Sequence, residues 1–397
     1  MRVVVAVDKF KGSASAVEVG AALRRGLTAR GDGITVDEVP VADGGEGTCD
    51  AALRAGFTSR SVRVAGPTGQ PVDAVIAVRG SEAVVEMAAA SGLALLPGGV
   101  LAPLEATSTG TGELVAAALD AGSEHVVLAV GGSACTDGGA GMLAALGVRF
   151  LDDDGAPVGP GGGGLARLAR VDVTGLDPRI AGTRITLASD VDHPLLGEHG
   201  AAAVFGPQKG ATPADVERLD AGLARLVRAL GAQDVARAPG AGAAGGVGFA
   251  ALAVLGADRV SGVDLVRDLT GLADRVAGAD LVVTGEGSLD AQSLGGKTPV
   301  GVAQVAHAAG VPVVAVCGVS SLDTTALGEA GFDRVHRLSD LEPDPRRSMA
   351  DAVRLLELVG SAIADELRGT TAPPHERTAR AHRTDDRPTD DRTDRHA

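Results

Sequence analysis

The stretch VVVAVDKFKGS (3–13) decides the fold class, because it joins an unbroken apolar run to a polar turn that contains glycine. A short Val-rich run that is apolar at every position is typical of a strand buried on both faces, as in a parallel sheet. A helix-length segment follows the turn. The stretch therefore predicts a strand–turn–helix unit at the start of the chain.

The same pattern recurs along the chain. Apolar runs of strand length alternate with helix-length segments and lie at 74–78, 83–87, 125–130, 185–188, 281–284 and 311–316. One helix is predicted in detail: Thr212 is a suitable N-cap, Pro213 suits the first turn, and Gly231 suits the end. This alternation predicts an α/β protein with largely parallel sheets.

The alternation of predicted strands and helices is clearest at the two ends of the chain. We therefore predict one domain built from residues 1–65 and 280–368 and a second α/β domain from residues 66–279. The segment 369–397 is rich in arginine and acidic residues and nearly free of apolar ones, which predicts a disordered tail.

Composition excludes several classes of protein. The net charge of −15 argues against a nucleic-acid or anionic-membrane partner, and the 2 % aromatic content argues against a surface that stacks bases. No apolar run approaches the length of a transmembrane helix. The three cysteines lie far apart without a C-x-x-C pair, so neither a disulfide framework nor a zinc site is indicated, and a cytoplasmic location is expected.

Glycine clusters with acidic or hydroxyl neighbours stand at predicted strand ends. They lie at 8–13, 43–48, 107–113, 131–141 and 284–287. Any one of them could be a simple tight turn. Because turns between a strand and a helix expose backbone N–H groups that bind phosphate or carboxylate, five such clusters together predict a phosphate-handling site.

Two segments match known nucleotide-binding patterns only in part. The segment GAGAAG (240–245) matches a dinucleotide-binding pattern, but no strand precedes it, so close backbone packing is the better interpretation. Gly296-Lys297-Thr298 ends like a phosphate-binding P-loop but lacks the first glycine, since position 291 is Ala291. Lys297 could still meet a phosphate.

Two further segments carry candidate residues. Asp190 follows the strand-length run 185–188, which makes it a candidate general base or Mg²⁺ ligand, or simply a turn cap. His193 and His199 flank it without a third ligand at zinc-site spacing. Lys209 could contact an anion or be solvated.

Nine segments, in this order, resemble the bacterial glycerate kinase family of the non-P-loop class. They are DKFKGS (8–13), ADGGEGT (42–48), VEMAAASGL (85–93), ATSTGTGEL (106–114), GGSACTDGGAGM (131–142), SDVDHPLLG (189–197), GAAAVFGPQKGA (200–211), GAGAAGGVG (240–248) and TGEGSLDAQSLGGKTPVGVA (284–303). His193 and Cys135 depart from the pattern, which has Asn and a hydroxyl or amide residue there.

The resemblance implies two α/β domains, one of them a flavodoxin-like (Rossmann-like) parallel sheet built from both chain ends. It also implies ATP and Mg²⁺ as cofactors and D-glycerate as the small-molecule substrate. The implied product is 2-phosphoglycerate, with 3-phosphoglycerate as the alternative.

Phosphoryl transfer needs positioning and charge neutralisation, and the candidate residues are assigned on that basis. The candidate catalytic residues are Asp190, Lys11 and Lys297. The candidate nucleotide ligands are Gly131, Gly132, Ser133, Asp137, Gly138, Gly139, Gly285, Glu286 and Gly287. The candidate glycerate ligands are Ser13, Thr107, Ser108, Thr109, Gly110 and Lys209. The candidate Mg²⁺ ligands are Asp43, Glu46 and Glu286.

Two other functions stay open at this point. A hydroxy-acid dehydrogenase would use the segment 240–248 and depend on NAD. A sugar-acid sensor would keep the fold and bind without turnover, although the acidic residues that catalysis needs are all present.

Overall fold

The computed structural model describes residues 1–31, 33–291, 293–295 and 298–371. The strands are β1 Arg2–Val7, β2 Thr35–Glu38, β3 Thr58–Ala65, β4 Pro71–Arg79, β5 Glu82–Glu86, β6 His125–Ala129, β7 Arg149–Leu151, β8 Arg170–Asp172, β9 Arg184–Ala188, β10 Asp258–Val260, β11 Leu281–Leu289, β12 Val313–Ser320 and β13 Arg334–Arg337.

The helices, in chain order, are α1 Ala16–Thr28, α2 Thr48–Arg54, α3 Ala88–Ser91, α4 Thr109–Asp120, α5 Ala140–Ala145, α6 Gly161–Gly164, α7 Ala201–Phe205, α8 Pro213–Leu230, α9 Val247–Ala253, α10 Gly262–Thr270, α11 Leu272–Val276, α12 Thr298–Ala308, α13 Thr324–Glu329, α14 Pro345–Ala350 and α15 Ala352–Thr371. Short 3₁₀ turns connect several of them.

The first sheet is parallel throughout and uses both ends of the chain. Its order is β13-β12-β11-β1-β2, which in chain order is the flavodoxin arrangement 2-1-3-4-5. The valines of β1 alternate between two cores: Val3 and Val5 pack with α1 and α15, whereas Val4 packs with α12. Burial on both faces is why this strand is apolar at every position.

The second sheet is mixed. Its order is β10-β9-β6-β5-β4-β3, with β3, β4 and β5 antiparallel and the remaining pairs parallel. It packs against α4, α5, α8 and α9 in the largest core. Helix α8 begins as predicted, because Thr212 and Asp215 cap it reciprocally, and Gly231 ends it in the left-handed conformation.

The sheets divide the chain differently from the predicted domain boundaries. Strand β3, which the boundary at residue 65 placed in the first domain, pairs with β4 in the second sheet. Helices α10 and α11 bring Val266, Leu272 and Val276 into the core of the first sheet. We therefore describe a first domain of residues 1–47 with 262–371 and a second domain of residues 48–261.

The predicted strands are all present, but several extend beyond the predicted bounds, among them β4, β11 and β12. Strand β11 was expected to end at Thr284 and instead pairs with β12 as far as Leu289. The predicted turn at Gly285–Gly287 is therefore wrong, since these residues lie inside the strand. The predicted tail from residue 372 onward lies outside the described residues, and α15 extends to Thr371.

Within the described part of the chain, no helix combines the length and the apolar character needed to cross a membrane.

Candidate active site

Two cavities meet in the cleft between the domains. The first cavity, of about 530 Å³, lies over the carboxyl ends of the strands of the first sheet. The second cavity, of about 750 Å³, lies over the loops that follow β6 and β9 in the second sheet. Both are lined by Lys11, Asp43, Gly131 and Gly132, so these residues mark the junction.

Asp8, Lys9 and Asp43 form a charged cluster at the first cavity. The Lys9 ammonium lies 3.4 Å from Asp8 Oδ1 and 3.7 Å from Asp43 Oδ1, and Thr298 Oγ1 donates to Asp8 Oδ2 at 3.0 Å. Burial raises the pKa of Asp8 to about 6, against the attraction of Lys9, and the Asp43 carboxylate adds to the rise. The cluster holds a buried negative charge at the end of β1.

Lys11 occupies the centre of the cleft. Its side chain is exposed and lines both cavities. Among the described residues no carboxylate lies within ion-pair distance of its ammonium group. Ser13, also predicted as a ligand, lines the first cavity with Lys11.

The Gly131–Gly132 turn touches the loop that carries Asp43. A Cβ atom on Gly131 would lie 2.6 Å from the Cα of Gly45, so only glycine allows this backbone contact between the domains. Gly132 has a φ of 78°, which glycine adopts readily. The contact brings the turn after β6 to the Asp43 loop.

Lys209 is a buried cation beneath this turn. It is 2 % exposed, and its ammonium donates to Ser133 Oγ at 2.9 Å and to the Cys135 carbonyl at 2.5 Å. Burial lowers the pKa of Lys209, although Cys135 and Asp137 oppose the shift. An ammonium group has three donors, and because Lys209 lines the second cavity, the third donor can serve an anion there.

Asp190 lines the second cavity just beyond the end of β9. Its Oδ1 accepts from the N–H of Gly262 at 2.9 Å, at the start of α10. Partial burial raises the pKa of Asp190, while hydrogen bonds from Ser261 and Gly262 lower it. The hydrogen bond holds the carboxylate at the cleft, as a general base or a metal ligand requires.

The candidate Mg²⁺ ligands Asp43, Glu46 and Glu286 line the first cavity, together with Gly287. No group of three or more acidic, His or Cys side chains is arranged around a metal position in the described part of the chain. A magnesium ion needs only one or two carboxylates when nucleotide phosphates complete its shell. The arrangement therefore fits a metal that arrives with a nucleotide.

Glu86 anchors the Asp43 loop to the second sheet. It ends β5, is 7 % exposed, and its Oε2 accepts from the N–H groups of Gly47 and Cys49, each at 3.1 Å. Burial raises the pKa of Glu86 to about 7, against these two hydrogen bonds. Sequence analysis did not single out this residue.

Several predicted ligands lie away from the cleft. Asp137 is fully buried and accepts from the Ser108 N–H at 2.8 Å, from the Ser108 hydroxyl at 2.9 Å and from the Thr107 hydroxyl at 3.3 Å. This carboxylate joins the start of α4 to the turn before α5. Its hydrogen-bonding capacity is used inside the second domain, and we assign Asp137, Thr107 and Ser108 a structural role.

The remaining predicted ligands in this region also pack internally. Thr109 Oγ1 lies 2.9 Å from Thr107 Oγ1. Cβ atoms on the predicted glycines would collide with neighbouring parts of the protein: on Gly110 with β3, on Gly138 with α8, on Gly139 with α9 and on Gly285 with β12. These glycines permit close packing, and none of them lines either cavity. Lys297 lies outside the described residues.

The dinucleotide pattern at 240–245 also serves packing. Cβ atoms on Gly242 and Gly245 would lie 2.3 and 2.1 Å from the carbonyl oxygens of Pro194 and Cys135. The segment follows a 3₁₀ turn, Val235–Arg237, and precedes α9 without a strand. The geometry therefore disfavours the dehydrogenase alternative.

The distribution of lysine is a signal that sequence analysis missed. The chain has only four lysines, Lys9, Lys11, Lys209 and Lys297, among 36 basic residues. The three that the structure describes line the cleft. Among the described residues, the basic partner of each ion pair away from the cleft is an arginine or a histidine, for example Arg25 with Glu357. Because lysine is so scarce, its positions in the sequence would have indicated Lys9 as a further candidate site residue.

Comparisons with known proteins identify the family of this chain. The model of the glycerate kinase family matches residues 3–368. A glycerate kinase of Bacillus subtilis is 46 % identical over 84 % of this chain and 89 % of its own, and a glycerate 2-kinase of Escherichia coli is 43 % identical over 84 % and 90 %. A crystal structure from Salmonella typhimurium LT2, described as glycerate kinase 2, has a TM-score of 0.77 and 41 % identity, covering 93 % of this chain and 99 % of that one. This chain is thus an enzyme of the glycerate kinase family.

Proposed function

We propose that this protein transfers the terminal phosphoryl group of ATP to the 2-hydroxyl of D-glycerate, giving 2-phosphoglycerate and ADP. The observation that carries the proposal is the junction of the two cavities, where Lys11, Asp43 and the Gly131–Gly132 turn face both. A donor in one cavity and an acceptor in the other would meet there. Phosphoryl transfer depends mainly on such positioning and on neutralising charge.

The second cavity suits the glycerate carboxylate. Lys209 supplies a buried cation with a donor to spare, and Ser133 is fixed beside it. A carboxylate bound by a desolvated ammonium makes a stronger contact than one bound at the surface. This site replaces the predicted contacts with residues 107–110.

Asp190 is the proposed partner of the hydroxyl that attacks. It lies in the same cavity as Lys209, and the Gly262 N–H holds one of its oxygens. The raised pKa of its carboxyl improves its ability to accept a proton. Asp190 would orient the hydroxyl and receive its proton.

The phosphates of ATP are proposed to lie at the junction. The Gly131–Gly132 backbone and the Lys11 ammonium face this point from different domains. Backbone N–H groups and a cation with no acidic partner nearby in the described chain are the groups that bind phosphate oxygens. Lys11 would neutralise charge that develops during transfer.

Magnesium is proposed to bind between the nucleotide and the carboxylates of Asp43, Glu46 and Glu286. When bound, Mg²⁺ would neutralise charge on the phosphate oxygens. The donor set is suitable because carboxylate oxygens are hard ligands. Burial is the main cause of the raised pKa of Asp8, and the carboxylate of Asp43 adds to the rise, so a divalent cation bound at Asp43 would lower the pKa of Asp8.

The choice of the 2-hydroxyl is supported by the relative named glycerate 2-kinase, at 43 % identity. Transfer to the 3-hydroxyl is the alternative.

Three free, buried cysteines agree with the expected reducing, cytoplasmic environment.

The proposal is tested by ADP release from wild-type protein with ATP, Mg²⁺ and D-glycerate. We expect turnover that requires all three and stops when a chelator removes Mg²⁺. Omission of glycerate is the control for simple ATP hydrolysis. Glycerate-dependent reduction of NAD would instead support the dehydrogenase, and binding of glycerate without turnover would support the sensor.

A further inference from the structure

The first cavity lies where ligands bind in open parallel sheets. Chain order reverses between β1 and β11, because β2 lies on one side of β1 and the later strands lie on the other. Ligands bind beyond the carboxyl ends of the strands at such a switch point. Asp8, just after β1, and Glu286, within β11, line the cavity there.

One wall of this cavity is apolar. It is formed by Val319, Leu338, Pro343 and Met349, contributed by β12, by the segment after β13 and by α14. Val319 and Met349 are each 48 % exposed, which is unusual for large apolar side chains that share one concave surface. Such a patch indicates that a ligand with an apolar face covers it.

Polar groups border this wall. Ser339 and Ser348 carry hydroxyls, and Glu342 carries a carboxylate, along the same cavity. These groups can donate to and accept from the edge of a heterocyclic base or the hydroxyls of a ribose. The only aromatic side chain lining the cavity among the described residues is Phe10, so the flat face of a base would pack mainly on aliphatic groups.

The charged residues of the cavity indicate how the ligand is oriented in it. Carboxylates outnumber cations among the described residues of the first cavity: Asp8, Asp43, Glu46, Glu286, Asp290 and Glu342 face Lys9 and Lys11. Asp43, Glu46 and Glu286 are the proposed Mg²⁺ ligands, so phosphates would approach them only together with the metal. Glu342, beside the apolar wall, would repel phosphates, whereas Lys11 and the Gly131–Gly132 turn attract them at the junction. A neutral base and ribose therefore suit the interior, and phosphates suit the junction.

We infer that the first cavity holds the base and ribose of the donor nucleotide, with the base against the wall of Val319, Leu338, Pro343 and Met349. This inference rests on the proposed function, since that function supplies the nucleotide. The wall residues thereby determine donor affinity and leave the acceptor unaffected.

The test is ADP binding to the full-length protein, measured by calorimetry without glycerate. Met349→Asp places a charge on the wall, and Met349→Gln changes polarity with little change of shape. Loss of apolar contact should weaken ADP binding about tenfold or more for Met349→Asp and severalfold for Met349→Gln. The matched control is Leu358→Asp, at an apolar residue that is 46 % exposed and lies outside the cavity.

In steady-state assays, the KM for D-glycerate should change less than about twofold in the Met349 variants. Unchanged ADP affinity in variants that keep the wild-type melting temperature would overturn the inference. A higher KM for glycerate with normal ADP binding would overturn it too, because the cavity would then hold the acceptor. A wild-type protein that binds ADP but does not phosphorylate glycerate would contradict the proposed function alone.

Discussion

At the scale of single residues, the cleft shows how much the environment of a charged group matters. Lys9, Lys11 and Lys209 all line it, yet Lys9 pairs with two carboxylates, Lys209 is buried under backbone and hydroxyl acceptors, and Lys11 faces both cavities. Lysine and arginine are not equivalent at a phosphate, because the ammonium is a compact charge with three donors. We therefore expect each lysine to have a different role.

Lys11→Met should keep the apolar stem and remove the charge at the junction. Loss of one charge-assisted contact costs about 1.5–3 kcal/mol, so kcat/KM should fall about ten- to hundredfold. Steady-state kinetics with varied ATP and glycerate would measure the fall. Arg63→Met, at an exposed residue of β3, is the control. An effect below twofold would show that Lys11 is only a solvated side chain.

Asp190→Asn should keep the shape of the side chain and remove the proton acceptor. If Asp190 is the base, kcat should fall by a factor on the order of 10²–10⁴ with little change in nucleotide affinity. Asp192→Asn is a close control, because Asp192 lines the same cavity but is paired with Arg259 at 2.6 Å. Partial rescue by excess Mg²⁺ would identify Asp190 as a metal ligand instead. Near-normal kcat in ordinary Mg²⁺ would leave it as a turn cap.

Several of the predicted site residues line the two cavities, but the sequence pattern did not predict their roles. Asp190 and the Gly131–Gly132 turn are recognisable because each follows an apolar strand, and Asp43 is recognisable because it stands in a glycine cluster with Glu46. Asp137 has the same local pattern and is buried in the second domain. Local sequence shows that a polar residue follows a strand. Whether that residue faces solvent or a neighbouring helix depends on packing across the sheet.

At the scale of secondary-structure elements, the Asp43 loop is fixed from two sides. Glu86 binds its N–H groups from the second sheet, and Gly45 packs against Gly131. Neither contact was predictable from the sequence, because both join segments distant along the chain. The extension of β11 was missed for a related reason: Gly285 and Gly287 look like turn residues, yet both lie inside β11, where Gly285, Glu286 and Ser288 pair with β12.

Glu86→Gln should change how stability depends on pH. The pKa of Glu86 is raised in the folded protein from 4.5 to about 7, so the unfolded chain loses this proton first as pH rises. Wild-type stability should therefore fall by about 3 kcal/mol between pH 4.5 and 7 through this group. The amide oxygen can still accept from Gly47 and Cys49, so the variant should lack this fall.

Urea unfolding at pH 5 and pH 8 would measure the difference. We expect Glu86→Gln to be close to wild type at pH 5 and more stable at pH 8. Glu217→Gln, at an exposed residue of α8, should match wild type at both values. A Glu86→Gln variant that is equally destabilised at both pH values would show that the carboxylate is needed in its charged form.

Gly131→Ala should disturb the contact that joins the two domains. The added Cβ would lie 2.6 Å from the Cα of Gly45 and push the Asp43 loop away. Displacement of about 1 Å can cost on the order of 10² in rate, so kcat/KM should fall about that much while the protein stays folded. Gly159→Ala is the control, since nothing lies within 4 Å of its Cβ position. Normal kinetics in Gly131→Ala would show that the contact is not needed for catalysis.

At the scale of the whole molecule, each of the two sheets contributes one of the two cavities of the cleft. The alternation of Val-rich runs and helices was enough to predict two α/β domains and a first domain built from both chain ends. The sheets divide the chain elsewhere, because β3 forms a hairpin with the adjacent β4 and α10 contributes Val266 to the core of the first sheet. The cleft follows from the fold, since both sheets present the carboxyl ends of their parallel strands to it.

The most direct test of this account is phosphorus NMR of wild-type protein with ATP, Mg²⁺ and D-glycerate, because it identifies the product itself. We predict that the γ-phosphate signal of ATP is lost as the signal of 2-phosphoglycerate appears in equal amount, and that Asp190→Asn slows both together. A reaction that yields only 3-phosphoglycerate would contradict the choice of hydroxyl. ATP that remains intact in the presence of glycerate, with folded protein, would contradict the account as a whole.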